Sequence, residues 1–95
     1  MIDKLKVVDK KNIKEALRKH ITENLLAQSG LDTFSDSDSF MEKGIIDSTG
    51  ILELLEFIEG EFGIKVEDEE VIPDNLDSLE KLAKYIHRKL AHAGQ

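Results

Sequence analysis

The stretch Gly44-Ile45-Ile46-Asp47-Ser48-Thr49-Gly50, with the residues that follow it to Phe62, decides how this chain folds. Ile51, Leu54, Leu55, Ile58 and Phe62 recur at steps of three and four, which places them on one face of a helix. Asp47 stands just before them, where a short carboxylate can accept the unpaired N–H groups of a first turn. Gly63 follows, the residue type that most readily closes a helix in a left-handed turn. The pattern predicts a helix over 48–62 with Ser48 at the positive end of its dipole. That position suits a serine bearing a phosphate ester, because helix N-termini hold anionic groups well. The Asp-Ser pair alone is also ordinary capping chemistry and does not decide function. Thr49, Glu53, Glu56 and Gly60 fall opposite the apolar face, with Leu52 and Phe57 on its borders. That opposite side is either solvent-facing or a docking surface.

Toward the amino end, Asn12-Ile13-Lys14-Glu15 has capping-box spacing and predicts the start of a first helix. Ile13, Ala16, Leu17, Ile21 and Leu25 form its apolar stripe, with Lys14, Arg18 and Lys19 outside. Gly30 ends it, and His20, flanking the stripe, is expected to be partly exposed. Residues 1–11 read as an N-terminal extension. Leu31 to Ile46 is a long loop, which needs anchors to be ordered. Leu31, Phe34, Phe40, Ile45 and Ile46 are the candidates. Asp36-x-Asp38 with Asp47 partly matches a calcium loop, but Phe40, Met41 and Asp47 replace an acidic ligand, the glycine and the glutamate. No metal site is expected.

Toward the carboxyl end, Glu67 to Ile72 is expected to hold one helical turn, with Val71 and Ile72 turned inward and Pro73 ending it. Asp77-Ser78-Leu79-Glu80 is a second capping-box pattern, with Asp77 as the expected cap. Leu79, Leu82, Ala83, Ile86 and Leu90 make the last apolar stripe. Lys84, Arg88 and Lys89 suit the negative end of that helix. His87 and His92 are expected in solvent, and 91–95 as a flexible tail. The sum is an all-α fold, a small bundle of three main helices plus one short helix over 12–90, with a long loop between helices one and two.

Composition narrows the function classes. Ninety-five residues suffice for one domain with one small core. Without cysteine there is no disulfide, no Cys-based zinc site and no thiol nucleophile of the chain's own. No apolar run reaches the ~20 residues of a membrane span, so membrane insertion is not expected and a cytoplasmic location is the default. From Asp47 to Glu70 nine acids face the single Lys65, a net of −8 within a chain of −7, so the rest sums to about +1. Acid concentrated around that helix argues against nucleic acid, whose phosphates need a basic face. It favours a partner with a basic patch.

Phe40-Met41-Glu42-Lys43-Gly44-Ile45-Ile46-Asp47-Ser48, then Glu53-Leu54 and Glu61-Phe62-Gly63, resembles the phosphopantetheine attachment region of acyl carrier proteins, over about Asp38 to Leu90. The resemblance implies an acyl-carrier-like bundle whose Ser48, beside Asp47, is esterified by a phosphopantetheine arm taken from coenzyme A. It also implies an extended connection at Ile64–Val66. The arm's thiol would hold an acyl or aminoacyl thioester for partner enzymes, and the chain itself would not be an enzyme. Implied partners are a phosphopantetheinyl transferase, an acyl-loading ligase or transferase, and downstream synthase enzymes with basic patches. Thr49, Leu52, Glu53 and Glu56 would be the docking residues, and a monomer is expected. The alternative is an acidic helical adaptor that binds a basic partner without a prosthetic group. A hydrolase using Ser48 lacks both a nearby histidine in sequence and a Gly-x-Ser-x-Gly elbow. Fatty-acid carriers commonly have leucine after the modified serine and an apolar residue on the docking surface where Glu56 stands. Thr49 and Glu56 therefore imply a specialised, stand-alone carrier. Gly50 is expected to loosen the first turn by up to about 1 kcal/mol.

Overall fold

The computed structural model describes residues 10–93, with side chains through Ala91. Of the extension expected at 1–11, residues 1–9 lie outside the described residues and Lys10 and Lys11 are helical; of the tail expected at 91–95, residues 94–95 and the His92 side chain lie outside them and 91–93 continue the last helix. Among the described residues four helices follow in order: α1 (Lys10–Asn24), α2 (Ser48–Phe62), α3 (Pro73–Leu76) and α4 (Leu79–Ala93), with 3₁₀ turns at Leu26–Ser29 and Asp68–Glu70. The fold is all-α, as expected.

Helix α1 already includes Lys10, so Asn12 lies inside it rather than at its cap; lysines are good helix formers and carry the helix back past Asn12. It ends at Asn24, whose side-chain amide donates to the His20 carbonyl at 3.0 Å and competes with the continuing backbone ladder. The chain then tightens into the 3₁₀ turn and closes at Gly30, in a left-handed conformation with φ 78°. Helix α2 has its predicted bounds, capped by Asp47 and closed by Gly63 at φ 67°. Ile64–Val66 is extended, as the resemblance implied.

Ile13, Leu17, Ile21, Leu54, Ile58, Leu79, Leu82 and Ile86 form the fully buried centre, and α1 packs along α4. Ile51 and Leu55 are half-buried at its edge rather than inside it, and Leu90 likewise. Tyr85, absent from the predicted stripe, is only 1% exposed. Its ring fills the core while its hydroxyl finds a polar partner, the usual condition for burying tyrosine.

Phe34, Phe40, Ile45 and Ile46 pin the long loop, whereas Leu31 is exposed. Polar contacts complete the anchoring. Arg18 donates to the Phe34 carbonyl and pairs with Asp36, Lys14 pairs with Asp36 and Glu80, and the Glu80 amide donates to the Asp36 carbonyl. Lys14 and Arg18 are thus clamps on the loop rather than free outer cations. Asp36, held below the usual carboxylate range first by Arg18, is occupied by these cations.

Two capping expectations and one burial expectation are revised. Pro73 begins α3 at its first position, where a missing N–H costs nothing, instead of ending a helix. The cap of α4 is Ser78, whose Oγ accepts the Lys81 amide at 3.1 Å. Asp77 is drawn away: it accepts from the Ser39 hydroxyl and the Met41 amide, tying the loop to the α3–α4 junction. Val71 and Ile72 point outward, 38% and 43% exposed.

Candidate functional site

The amino end of α2 is built around Asp47. Its backbone is extended, and its Oδ1 accepts from the amides of Thr49 at 3.1 Å and Gly50 at 2.7 Å. Its carbonyl accepts the Ile51 amide at 3.0 Å. One residue therefore satisfies three first-turn donors and fixes the direction in which Ser48 leaves the helix. Ser48 is the first helical residue and is exposed. The segment leading to it is equally fixed: Ile45 and Ile46 are buried, and Gln28 donates to the Ile45 carbonyl.

Gly50 is also a packing position. It is buried, and a Cβ added there would lie 3.3 Å from Asp47 Oδ1, 3.4 Å from Ile46 Cγ2 and 3.5 Å from Leu25 Cδ2. Of these only the Asp47 oxygen is closer than an ordinary contact, so a side chain here would press first on the cap itself.

Beside Ser48 opens a cavity of about 250 Å³. Ile46, Asp47, Ser48 and Ile51 line it from the α2 side, Val71, Ile72, Pro73 and Leu76 from the connector and α3, and Phe40, Met41 and Asp77 between them. Its lining is almost wholly apolar, so it can take an apolar group and offers a charged one little. Thr49, Leu52, Glu53 and Glu56 all lie on the exposed side of α2, with Leu52 62% exposed.

Two side chains near the cavity have parts in the site that the sequence did not assign to them. Asp77 holds Ser39 and Met41 at one wall. Glu70, at the end of the second 3₁₀ turn, accepts from Tyr85 Oη at 2.9 Å, Lys89 Nζ at 3.0 Å and the Glu67 amide at 3.0 Å. The Glu67 amide, then Lys89 and Tyr85, hold its carboxyl down to about 2. Burial first, then the Glu70 contact, pushes the Tyr85 hydroxyl up and keeps it protonated. The i,i+4 spacing of Tyr85 and Lys89 was the available signal, since it puts two donors on one face.

His20 stacks on Phe57 with centroids 3.9 Å apart. Burial pushes its pKa below the usual value, and its Nε2 is enclosed without a partner. Among the described residues no cluster of metal-ligating side chains occurs, and no helix is long and apolar enough to cross a membrane.

Comparison with known proteins adds one finding. The family model described as phosphopantetheine attachment site matches residues 15–86. No curated protein matches the chain significantly.

Proposed function

The chain belongs to the phosphopantetheine attachment family, a carrier bearing that group covalently, and from this premise we propose that Ser48 is the attachment point and that the cargo is an apolar acyl thioester. One observation carries the reading: an exposed serine at the capped amino end of α2 stands at the edge of an apolar cavity. The residues fit the group. The helix dipole favours a phosphodiester there, Asp47 fixes the serine's direction, and the cavity offers room for an apolar appendage.

In the attachment step the Ser48 hydroxyl oxygen displaces the adenosine bisphosphate portion of coenzyme A from the pantetheine phosphate. The hydroxyl proton leaves to the transferase's base, and a phosphodiester remains. The attached group supplies a thiol that holds the cargo as a thioester. The chain's own contribution is presentation: Asp47 aims Ser48, the acidic side of α2 attracts a basic partner, and the cavity shields what is carried. The apolar lining favours an aliphatic acyl chain over an aminoacyl ammonium. Thr49 and Glu56 make the surface beside the arm polar. We read them as selecting a dedicated ligase and pathway-specific enzymes over those of general fatty-acid synthesis.

Intact-mass measurement after incubation with coenzyme A and a broad-range transferase tests the attachment. The wild type gains one phosphopantetheine mass and Ser48→Ala gains none. A wild type without gain would leave the acidic-adaptor reading in its place. Gain in Ser48→Ala, for instance on Ser39 or Ser78, would move the site.

A further inference from the structure

The connector between α2 and α4 carries two apolar side chains, Val71 and Ile72, that are partly exposed yet line the cavity. Burial alone would draw such residues inward, so something else holds them at the mouth. Glu70 immediately precedes them. Its carboxylate is drawn to α4 by the Tyr85 hydroxyl and the Lys89 ammonium, and to its own turn by the Glu67 amide. Its backbone carbonyl accepts the Ile72 amide and the Asn75 side chain, both at 2.9 Å. Tyr85 is 1% exposed and set in the core, so the anchor on α4 is rigid. The nearest buried connector residue upstream is Ile64, six positions away. Glu70 is thus the fastening on the upstream side of the mouth segment; downstream, the Ile72 carbonyl accepts the Asn75 and Leu76 amides at the start of α3, where Leu76 is buried.

We propose that Glu70 is a positioning residue that fastens the Val71–Ile72 lip through Tyr85 and Lys89, and thereby sets how long a carried acyl chain stays withdrawn from solvent. The inference rests on the reading of Ser48 as attachment point and of the adjoining cavity as cargo site. The Glu70 contacts are formed while Val71 and Ile72 line the mouth, and on this proposal they hold that lip in place against displacement. Exposure of the thioester then follows the strength of that fastening. A partner enzyme that displaces the lip gains the cargo without unfolding the bundle.

The test loads Ser48 from octanoyl- and acetyl-coenzyme A with a transferase, confirms loading by intact mass, and follows thioester cleavage by hydroxylamine. In the wild type the octanoyl form is cleaved more slowly than the acetyl form. In Glu70→Gln the octanoyl rate rises about three- to tenfold, the reach of weakened charge-assisted hydrogen bonds, while the acetyl rate and helical content stay unchanged. Lys89→Met and Tyr85→Phe shift the octanoyl rate in the same direction. They carry the comparison alone should Glu70→Gln fail to fold. A merely structural role would move both rates together or neither. No mass gain on loading would defeat the attachment reading. An unprotected octanoyl form in the wild type would defeat the cargo site and the lip with it. Normal loading and wild-type protection, with an octanoyl rate equal to or slower than wild type in the variants, would defeat the proposal about Glu70 alone.

Discussion

Two glycines on one helix allow a test in which helix propensity and tertiary packing make opposite forecasts. Gly60 is exposed, and nothing lies within 4 Å of where its Cβ would be. Gly60→Ala should therefore keep its propensity gain, about 0.5–1 kcal/mol of added stability. Gly50→Ala has the same intrinsic gain as an upper limit, but its methyl would press on Asp47 Oδ1 at 3.3 Å and Ile46 Cγ2 at 3.4 Å. The Ile46 methyl sits in the core and cannot retreat freely. Asp47 Oδ1 can yield only by lengthening the bonds from the Gly50 and Thr49 amides. Weakening that cap costs up to about 1 kcal/mol and crowding a packed contact about 1–3 kcal/mol, so Gly50→Ala should be net destabilising by roughly 1 kcal/mol or more. In a domain this size the two variants should separate by about 6–12 °C in melting temperature. The assay is thermal unfolding followed by circular dichroism at 222 nm, with both variants beside the wild type. Transferase-dependent mass gain should also slow in Gly50→Ala, since Asp47 aims Ser48, and remain normal in Gly60→Ala. Equal rises in melting temperature for the two variants would refute the reasoning and restore Gly50 as a loosened first turn.

Leu54→Ala should cost about 2–5 kcal/mol because Leu54 is fully buried, and Leu55→Ala distinctly less because Leu55 sits half-exposed; equal losses by chemical denaturation would put the α2 face wrong. Replacing Glu53 and Glu56 by Lys should slow arm attachment and remove its salt sensitivity at unchanged helicity, and a normal rate would reduce the acidic face to a solubilising one. Thr49→Leu with Glu56→Met should raise turnover of the loaded carrier by general fatty-acid enzymes; no gain would discard those residues as selectors. Glu70, depressed from 4.5 to about 2, favours its ionised form in the fold, so its contribution is full above pH 4.5 and is lost as pH falls toward 2. With its side chain 28% exposed, that amounts to about 1–3 kcal/mol, and Glu70→Gln should flatten the acid limb of the melting curve against pH. Superimposable acid limbs would mean the carboxylate does not fasten the connector.

Much of the bundle was legible because its signals are local. The apolar stripes of α1, α2 and α4 follow from side chains meeting at i, i+3 and i+4. The Asp47 cap and the Gly63 stop depend on residues within one turn of the helix ends. Ser48 at a helix start, the long anchored loop and the acidic side of α2 required no knowledge of what packs against what. The Asp77 and Pro73 expectations failed where two local rules competed, and for Asp77 the outcome was set by Ser39 and Met41 elsewhere in the chain.

What the tertiary structure alone decided lies at distances that no local spacing encodes. Asp77 leaves its expected cap because Ser39 and the Met41 amide, 38 and 36 positions away, offer its carboxylate stronger partners while Ser78 caps α4 instead. Gly50 is buried because Leu25 and Ile46 converge on it, an encounter of α1 with α2 rather than a property of α2. Glu70 meets Tyr85 and Lys89 only once the connector lies across α4. The same crossing leaves Val71 and Ile72 at a mouth beside Ser48 instead of in the core. By itself, the sequence determined which three segments become the main helices and which serine heads one of them, because hydrogen bonds and side chains within a turn settle both. The cavity beside that serine exists only where three separate segments fail to close on one another, and that is a property of the assembled fold.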